Sequence, residues 1–197
     1  MLKPNFSIIY QQFRIILSIY LYNCIDSMNI SAIVGINKYN GIGNKGSMPW
    51  YFPEDLKYFQ HITKTTMDKQ KKNAILMGRN TMNSLPRFPL GGRINVCIST
   101  TVTYHADKSI LFYTSFDDAI TDLMSRGDEV ENIFIIGGSM LYKACLEHKD
   151  FKYLYLNELN DTSECDTFFP AINQDDYKHI ARKHISPDVI TNIYEKI

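Results

Sequence analysis

The chain has 197 residues, of which 45% are hydrophobic and 13% aromatic. That length suits one ordinary domain and buries roughly 70% of the unfolded surface, so no disulfide or metal is needed to hold a core. Its 21 basic residues balance 21 acidic ones, a neutrality that argues against nucleic acid or an anionic membrane as the main partner.

Cys24, Cys97, Cys145 and Cys165 follow no metal-ligand spacing, and five scattered histidines add none, so reduced thiols in a cytoplasmic protein are expected. The first 27 residues differ from the rest. Ile15–Ile25 is free of charge but only 11 residues long, against about 20 for a membrane span. It lacks a small-residue cleavage site and the arginines of a transit peptide. Residues 1–27 are therefore expected to lie outside the fold, with a membrane anchor as the alternative, and 28–197 to form the domain.

From Met28, strand and helix signals alternate. Ile30–Ile36 is a short β-branched apolar run, read as a buried strand, and a glycine-rich loop follows over Asn40–Pro49. Pro53–Met67 predicts a helix: Pro53 suits the first turn, Glu54 and Asp55 its positive end, and Leu56, Phe59 and Ile62 an apolar stripe. Asn73–Met77 predicts a strand running into a short helix to about Leu85. Strands are then expected at Arg93–Ser99 and Ile110–Tyr113, a helix at Phe116–Arg126, and a strand at Asn132–Ile136 running into a helix to Glu147. Phe151–Leu159, Tyr177–His184 and Val189–Glu195 complete the series as strands. The order describes an α/β fold of three layers, a mostly parallel central sheet flanked by helices, closed by an antiparallel edge hairpin.

Gly41-Ile-Gly43-Asn-Lys-Gly46 spells a dinucleotide fingerprint, yet Pro49 and Pro53 postpone the helix that should open within it. A mobile loop tipped by Met48 and Trp50, usable as a lid, fits better; an ordinary surface loop is the alternative. Two other junctions, Met77-Gly78-Arg79 and Ile136-Gly137-Gly138-Ser139, lead from a buried strand straight into a helix. Both place backbone amides at the carboxyl edge of a parallel sheet, where phosphates bind. Asp55 and Phe59, four apart, share a helix face; Asp55 is read either as a carboxylate facing a partly apolar cleft or as a solvated N-terminal acid.

Taken in order, the blocks Ile33-Val-Gly-Ile, Asn40-Gly-Ile-Gly, Met48-Pro-Trp50, Pro53-Glu-Asp55-Leu56-Lys-Tyr-Phe59, Met77-Gly-Arg79-Asn-Thr81, Gly92-Arg93-Ile-Asn95, Ile136-Gly-Gly-Ser139 with Tyr142, and Cys165-Asp-Thr-Phe-Phe-Pro170 resemble the dihydrofolate reductase family over Met28 to Ile197. The resemblance implies hydride transfer from NADPH to C6 of 7,8-dihydrofolate with protonation at N5. Asp55, Trp50 and Met48 would be the catalytic set: Asp55 would bond the 2-amino group and N3 of the pterin, and Trp50 would hold an ordered water. Ile33, Leu56 and Phe59 would sandwich the substrate rings, and Arg93 would grip the α-carboxylate of the glutamate tail. Gly137, Gly138, Arg79 and Thr81 would cradle the cofactor phosphates; Ile42, Met48, Ile136 and Tyr142 would surround the nicotinamide. Gly35, Gly43, Gly78, Asn80, Ser99, Thr100, Ser139 and Met140 complete the expected cofactor set.

Asn157 departs from the pattern, standing where many members have a threonine that bonds the key acid; an amide still donates, so weakened positioning rather than lost activity is expected. Met82 replaces a frequent tryptophan, read as packing. Thr100, Met140 and Asn80 thin the basic 2′-phosphate site, leaving NADPH preference to Arg79, Ser99 and Thr100. The resemblance is to the stand-alone form, expected to act as a cytoplasmic monomer on a small-molecule substrate. The riboflavin-pathway reductase of the same fold would need neither the acid–aromatic pattern nor Arg93, and a non-catalytic module would not need Asp55.

Overall fold

The computed structural model describes residues 28–102 and 104–197; the expectations for residues 1–27 lie outside them. The chain order is β1 (Asn29–Ile36), β2 (Gly41–Gly43), α1 (Pro53–Lys64), β3 (Lys72–Gly78), α2 (Arg79–Ser84), β4 (Ile94–Ile98) and β5 (Ile110–Tyr113). There follow α3 (Phe116–Ser125), β6 (Val130–Ile135), α4 (Ser139–Glu147), β7 (Phe151–Leu159), β8 (Thr167–Phe168), a 3₁₀ turn at Gln174–Asp176, β9 (Tyr177–Ser186) and β10 (Val189–Lys196).

Eight strands form one sheet in the order β5-β4-β3-β6-β1-β7-β10-β9. From β5 to β7 every pairing is parallel, and β10 and β9 complete the sheet antiparallel. Alternation along the strands divides the interior between the two sheet faces. Ile30, Ala32 and Val34 of β1, with Ala74, Leu76, Ile133 and Ile135, pack against Ala119 and Leu123 of α3 and Cys145 and Leu146 of α4. Ile33, Ile75, Met77 and Phe134 face the other way, against Phe59 and Ile62 of α1 and Met82 of α2. Three layers result. Met82 is buried in the second cluster, as its packing reading requires.

Local chemistry sets the element ends. Ser115 Oγ accepts from the amide of Asp118 at 3.1 Å and caps α3. No side chain caps α1; Pro53 at its first position removes one amide that would lack a partner. The helix stops at Lys64, short of Met67, because buried Asn73 takes the carbonyls of Thr63 and Thr65 at 3.2 and 2.8 Å. Its buried face also differs from the expected stripe. Asp55, Tyr58 and Thr63 are buried, and Leu56 is 38% exposed, because α1 packs on β9 as well as β3.

The glycine-rich loop is tied down at its base rather than loose. β2 pairs antiparallel with β8, Lys45 N donates to Asp166 Oδ2 at 2.8 Å, and Asn44 Nδ2 donates to the Glu164 carbonyl at 2.8 Å. Gly41 is required here, since a Cβ would collide with the Cys165 side chain. No helix opens within the Gly41–Gly46 stretch, in keeping with the rejection of the fingerprint reading.

Candidate active site

Asp55 enters from the first turn of α1, 9% exposed. Its Oδ1 accepts from Asn157 Nδ2 of β7 at 2.6 Å, and its Oδ2 stands 3.4 Å from where a Cβ on Gly35 would sit. Among the described residues no ion pair includes Asp55. Burial pushes its carboxyl above the usual value, and the Asn157 hydrogen bond pulls back. The solvated-acid alternative is therefore excluded: the side chain is buried against its amide partner. Ile33 and Ile136 share one apolar cluster with Phe59 on the same face of the sheet.

Arg93, just ahead of β4, is also 9% exposed. Its Nη1 donates to Thr63 Oγ1 at 2.9 Å and its Nη2 to the Gly91 carbonyl at 3.2 Å. Its Nε is buried without a partner, its guanidinium lies 6.0 Å from the Phe59 ring centroid, and burial draws its pKa down. A buried cation with no carboxylate beside it is costly unless an anion arrives.

The two strand–glycine–helix junctions touch: Gly78 N donates to the Gly137 carbonyl at 2.8 Å. Gly137 has φ +121°, a conformation side chains rarely adopt, and an added Cβ would meet Thr81 Oγ1 at 3.3 Å and the Tyr142 ring at 3.5 Å. No side chain caps the start of α4 at Gly138. The Ser139 hydroxyl donates to the Phe168 carbonyl at 2.7 Å, which ties the start of α4 to β8. Tyr142 is buried, its hydroxyl donating to the Ile33 carbonyl at 2.9 Å, which links α4 to β1.

Arg79 and Asn80 are exposed at the start of α2, and Met140 is 86% exposed. The Arg79 guanidinium donates to Thr101 Oγ1 at 2.6 Å. Ser99 is buried and accepts from the amides of Thr101 and Val102, while Thr100 is exposed. Thr101 is thus the partner that the sequence pattern overlooked. Its only signal is the run Ser99-Thr-Thr101, which suits a hydroxyl-capped turn. On the glycine-rich loop, Ile42 and Gly43 are half-buried in β2, Met48 is 50% exposed, and Trp50 Nε1 is buried without a protein partner.

A family model described as dihydrofolate reductase matches residues 29–195. The chain belongs to the dihydrofolate reductase family. It is 37% identical over 150 residues to the dihydrofolate reductase of Aedes albopictus, covering 74% of this chain and 81% of that one. It is 36% identical over 157 residues to that of Drosophila melanogaster, covering 78% and 85%. Among solved structures, Schistosoma mansoni dihydrofolate reductase superposes with a TM-score of 0.75 at 28% identity, covering 87% of this chain and 100% of that one. The family is one of oxidoreductases that use a nucleotide cofactor, and its fold is the one described above.

Proposed function

We propose that this protein reduces 7,8-dihydrofolate to 5,6,7,8-tetrahydrofolate with NADPH, and so supplies one-carbon metabolism. The observation that carries the reading is Asp55: a buried carboxylate that makes no ion pair among the described residues, set between Gly35, Asn157 and the apolar Ile33–Phe59 cluster. Such a group suits the amino–imino edge of a flat ring, which offers two donors to one carboxylate. Ile33, Leu56 and Phe59 hold the rings, and Arg93 binds the tail carboxylate with the donors that Thr63 and Gly91 leave over.

The residues present fit a dinucleotide. At the paired junctions Gly137 and Gly138 carry no side chain and lie beside Thr81, with Gly78 bonded to the Gly137 carbonyl, so the phosphates would meet backbone and the uncapped start of α4. Arg79, held by Thr101, and Ser99 and Thr100 form the 2′-phosphate end. Ile42, Met48, Ile136 and Tyr142 enclose the nicotinamide end, and NADPH supplies the hydride when bound. Gly35, Gly43, Asn80, Ser139 and Met140 line the remainder. Trp50 Nε1, a buried donor without a protein partner, holds the water that delivers the proton to N5, and Asp55 favours that protonation electrostatically rather than donating the proton itself.

The domain is taken as 28–197, with 1–27 an appendage, supported by the family match over 29–195. Among the described residues no helix is long and apolar enough to cross a membrane. The free thiols Cys97, Cys145 and Cys165 support a cytoplasmic location and the neutral charge balance a small-molecule ligand rather than nucleic acid; the protein is taken to act as a monomer. The test is product identification: tetrahydrofolate formed with NADPH at a kcat/KM at least about tenfold above that with NADH, a gap of about 1.4 kcal/mol, narrowing in Arg79→Ala. Folded, NADPH-binding protein that forms no tetrahydrofolate contradicts it.

A further inference from the structure

Asn157 is wholly buried and its amide has two ends to satisfy. One end is Nδ2, which donates to Asp55 Oδ1 at 2.6 Å. The other is Oδ1, which accepts from Thr191 Oγ1 at 2.8 Å. Thr191 sits on β10 directly across from Asn157 in the antiparallel register and is itself wholly buried. Tyr58 of α1, 7% exposed, has the Thr191 hydroxyl as a neighbour: burial pushes its own hydroxyl up to about 12, and Thr191 pulls it back.

Donor counting fixes the direction of this chain. A carboxylate only accepts, so Asn157 must turn its N–H toward Asp55 and its carbonyl toward Thr191. Thr191 has one hydrogen, which the Asn157 carbonyl takes. The donors then run head to tail from Thr191 through Asn157 and end on Asp55, an arrangement in which each bond polarises the next.

We propose that Thr191 is a positioning residue that holds the Asn157 amide with its N–H aimed at Asp55, so that a relay of two donors ends on the carboxylate. In this chain an amide stands at position 157, and an amide is free to turn about its last torsion unless its carbonyl is also anchored. Thr191 supplies that anchor. The Tyr58 ring lies under the Lys183 ammonium at 5.7 Å.

The groups facing Asp55 are few. Asn157 lies on β7, Gly35 on β1 and Tyr142 on α4, the last with its hydroxyl committed to the Ile33 carbonyl. Glu54 precedes Asp55 on α1, and Lys183 of β9 lies over the Tyr58 ring.

The proposal rests on Asp55 being the acid that meets the substrate, so its test is read without substrate or cofactor. Full-length protein labelled with ¹³C at the aspartate carboxyls is titrated by NMR, and Asp55→Asn identifies the Asp55 resonance. Thr191→Val is expected to raise the Asp55 midpoint by about 0.5–1 pH unit, since a charge-assisted donor is weakened. Thr191→Ser restores it. A folded Thr191→Val protein with an unmoved midpoint, or a Thr191→Ser protein as displaced as the valine variant, overturns the relay. If Thr191→Val does not fold, Thr191→Ala decides: a rise supports the relay and no rise overturns it. Turnover by the wild type bears on the proposed function alone, so the two failures remain distinguishable.

Discussion

Replacing Arg93 by leucine separates binding from folding more cleanly than any other change at this site. Arg93 makes one good hydrogen bond within the protein, to Thr63 Oγ1 at 2.9 Å, and one long one, to the Gly91 carbonyl at 3.2 Å. Against these stand a desolvated guanidinium and a buried Nε without a partner. Thr63 loses little, because its own hydroxyl still donates to the Phe59 carbonyl at 2.8 Å. Two neutral-acceptor bonds at about 1 kcal/mol each, offset by relief of an unpaired buried donor at about 1–3 kcal/mol, leave stability nearly unchanged. The melting temperature should move by no more than about 4 °C. Binding is another matter. A carboxylate brought into this recess without its guanidinium loses a buried charged pair, a truncation worth about 2–5 kcal/mol, so KM for dihydrofolate should rise at least about 30-fold. Arg93 stands at the tail and not at the reacting ring, so kcat should hold within a few-fold, the pattern of lost uniform binding. Steady-state kinetics beside thermal melts read both quantities. An unchanged KM in a folded variant would refute the assignment of Arg93 to the tail carboxylate.

Two further outcomes are expected. The Asp55 carboxyl is raised in the folded state, so the folded protein holds that proton more tightly than the unfolded chain. Ionising it then opposes folding: the stability it contributes is intact below its ordinary value of 3.8 and lost as pH rises through the raised value. Asp55→Asn should therefore melt above the wild type at neutral pH, with the gap closing in acid, and a gap that widens in acid would contradict the burial account. Gly137→Ala places a methyl group at φ +121° and 3.3 Å from Thr81 Oγ1. It should cost about 1–3 kcal/mol in denaturant unfolding and weaken NADPH binding measured by fluorescence titration, whereas unchanged affinity would remove the junction from the cofactor site.

Where the chain signals locally, the sequence reads well. β5 and β7 fall at Ile110–Tyr113 and Phe151–Leu159 as expected, because short apolar runs bounded by turn residues leave little choice of register. The two glycine junctions were legible singly; that Gly78 and Gly137 touch depends on β3 and β6 lying side by side. The pairing of β2 with β8 left no signal, since three residues of Gly-Ile-Gly carry no alternation and their partner lies far along the chain. Periodicity placed Leu56 on the buried stripe of α1, but contact with β9 turns Tyr58 and Thr63 inward. Asp55 was legible as an acid four residues from Phe59; whether it was buried was not, because that depends on Asn157 arriving from β7. Thr101 and Thr191 act through partners distant in sequence, Arg79 and Asn157; the Ser99-Thr-Thr101 run marks a turn at Thr101 but not its partner, and no local pattern marks Thr191.

The central claim is that Asp55 makes this fold a reductase of dihydrofolate. Single-turnover loss of reduced-nicotinamide absorbance on mixing the NADPH complex with dihydrofolate, wild type against Asp55→Asn, tests it most directly. The account predicts rapid hydride transfer in the wild type and a fall of about 10²–10³-fold in the variant, the scale on which removal of one group that stabilises developing charge acts, with NADPH affinity unchanged. Equal rates in the two proteins, or none in a folded wild type that binds NADPH, would contradict it.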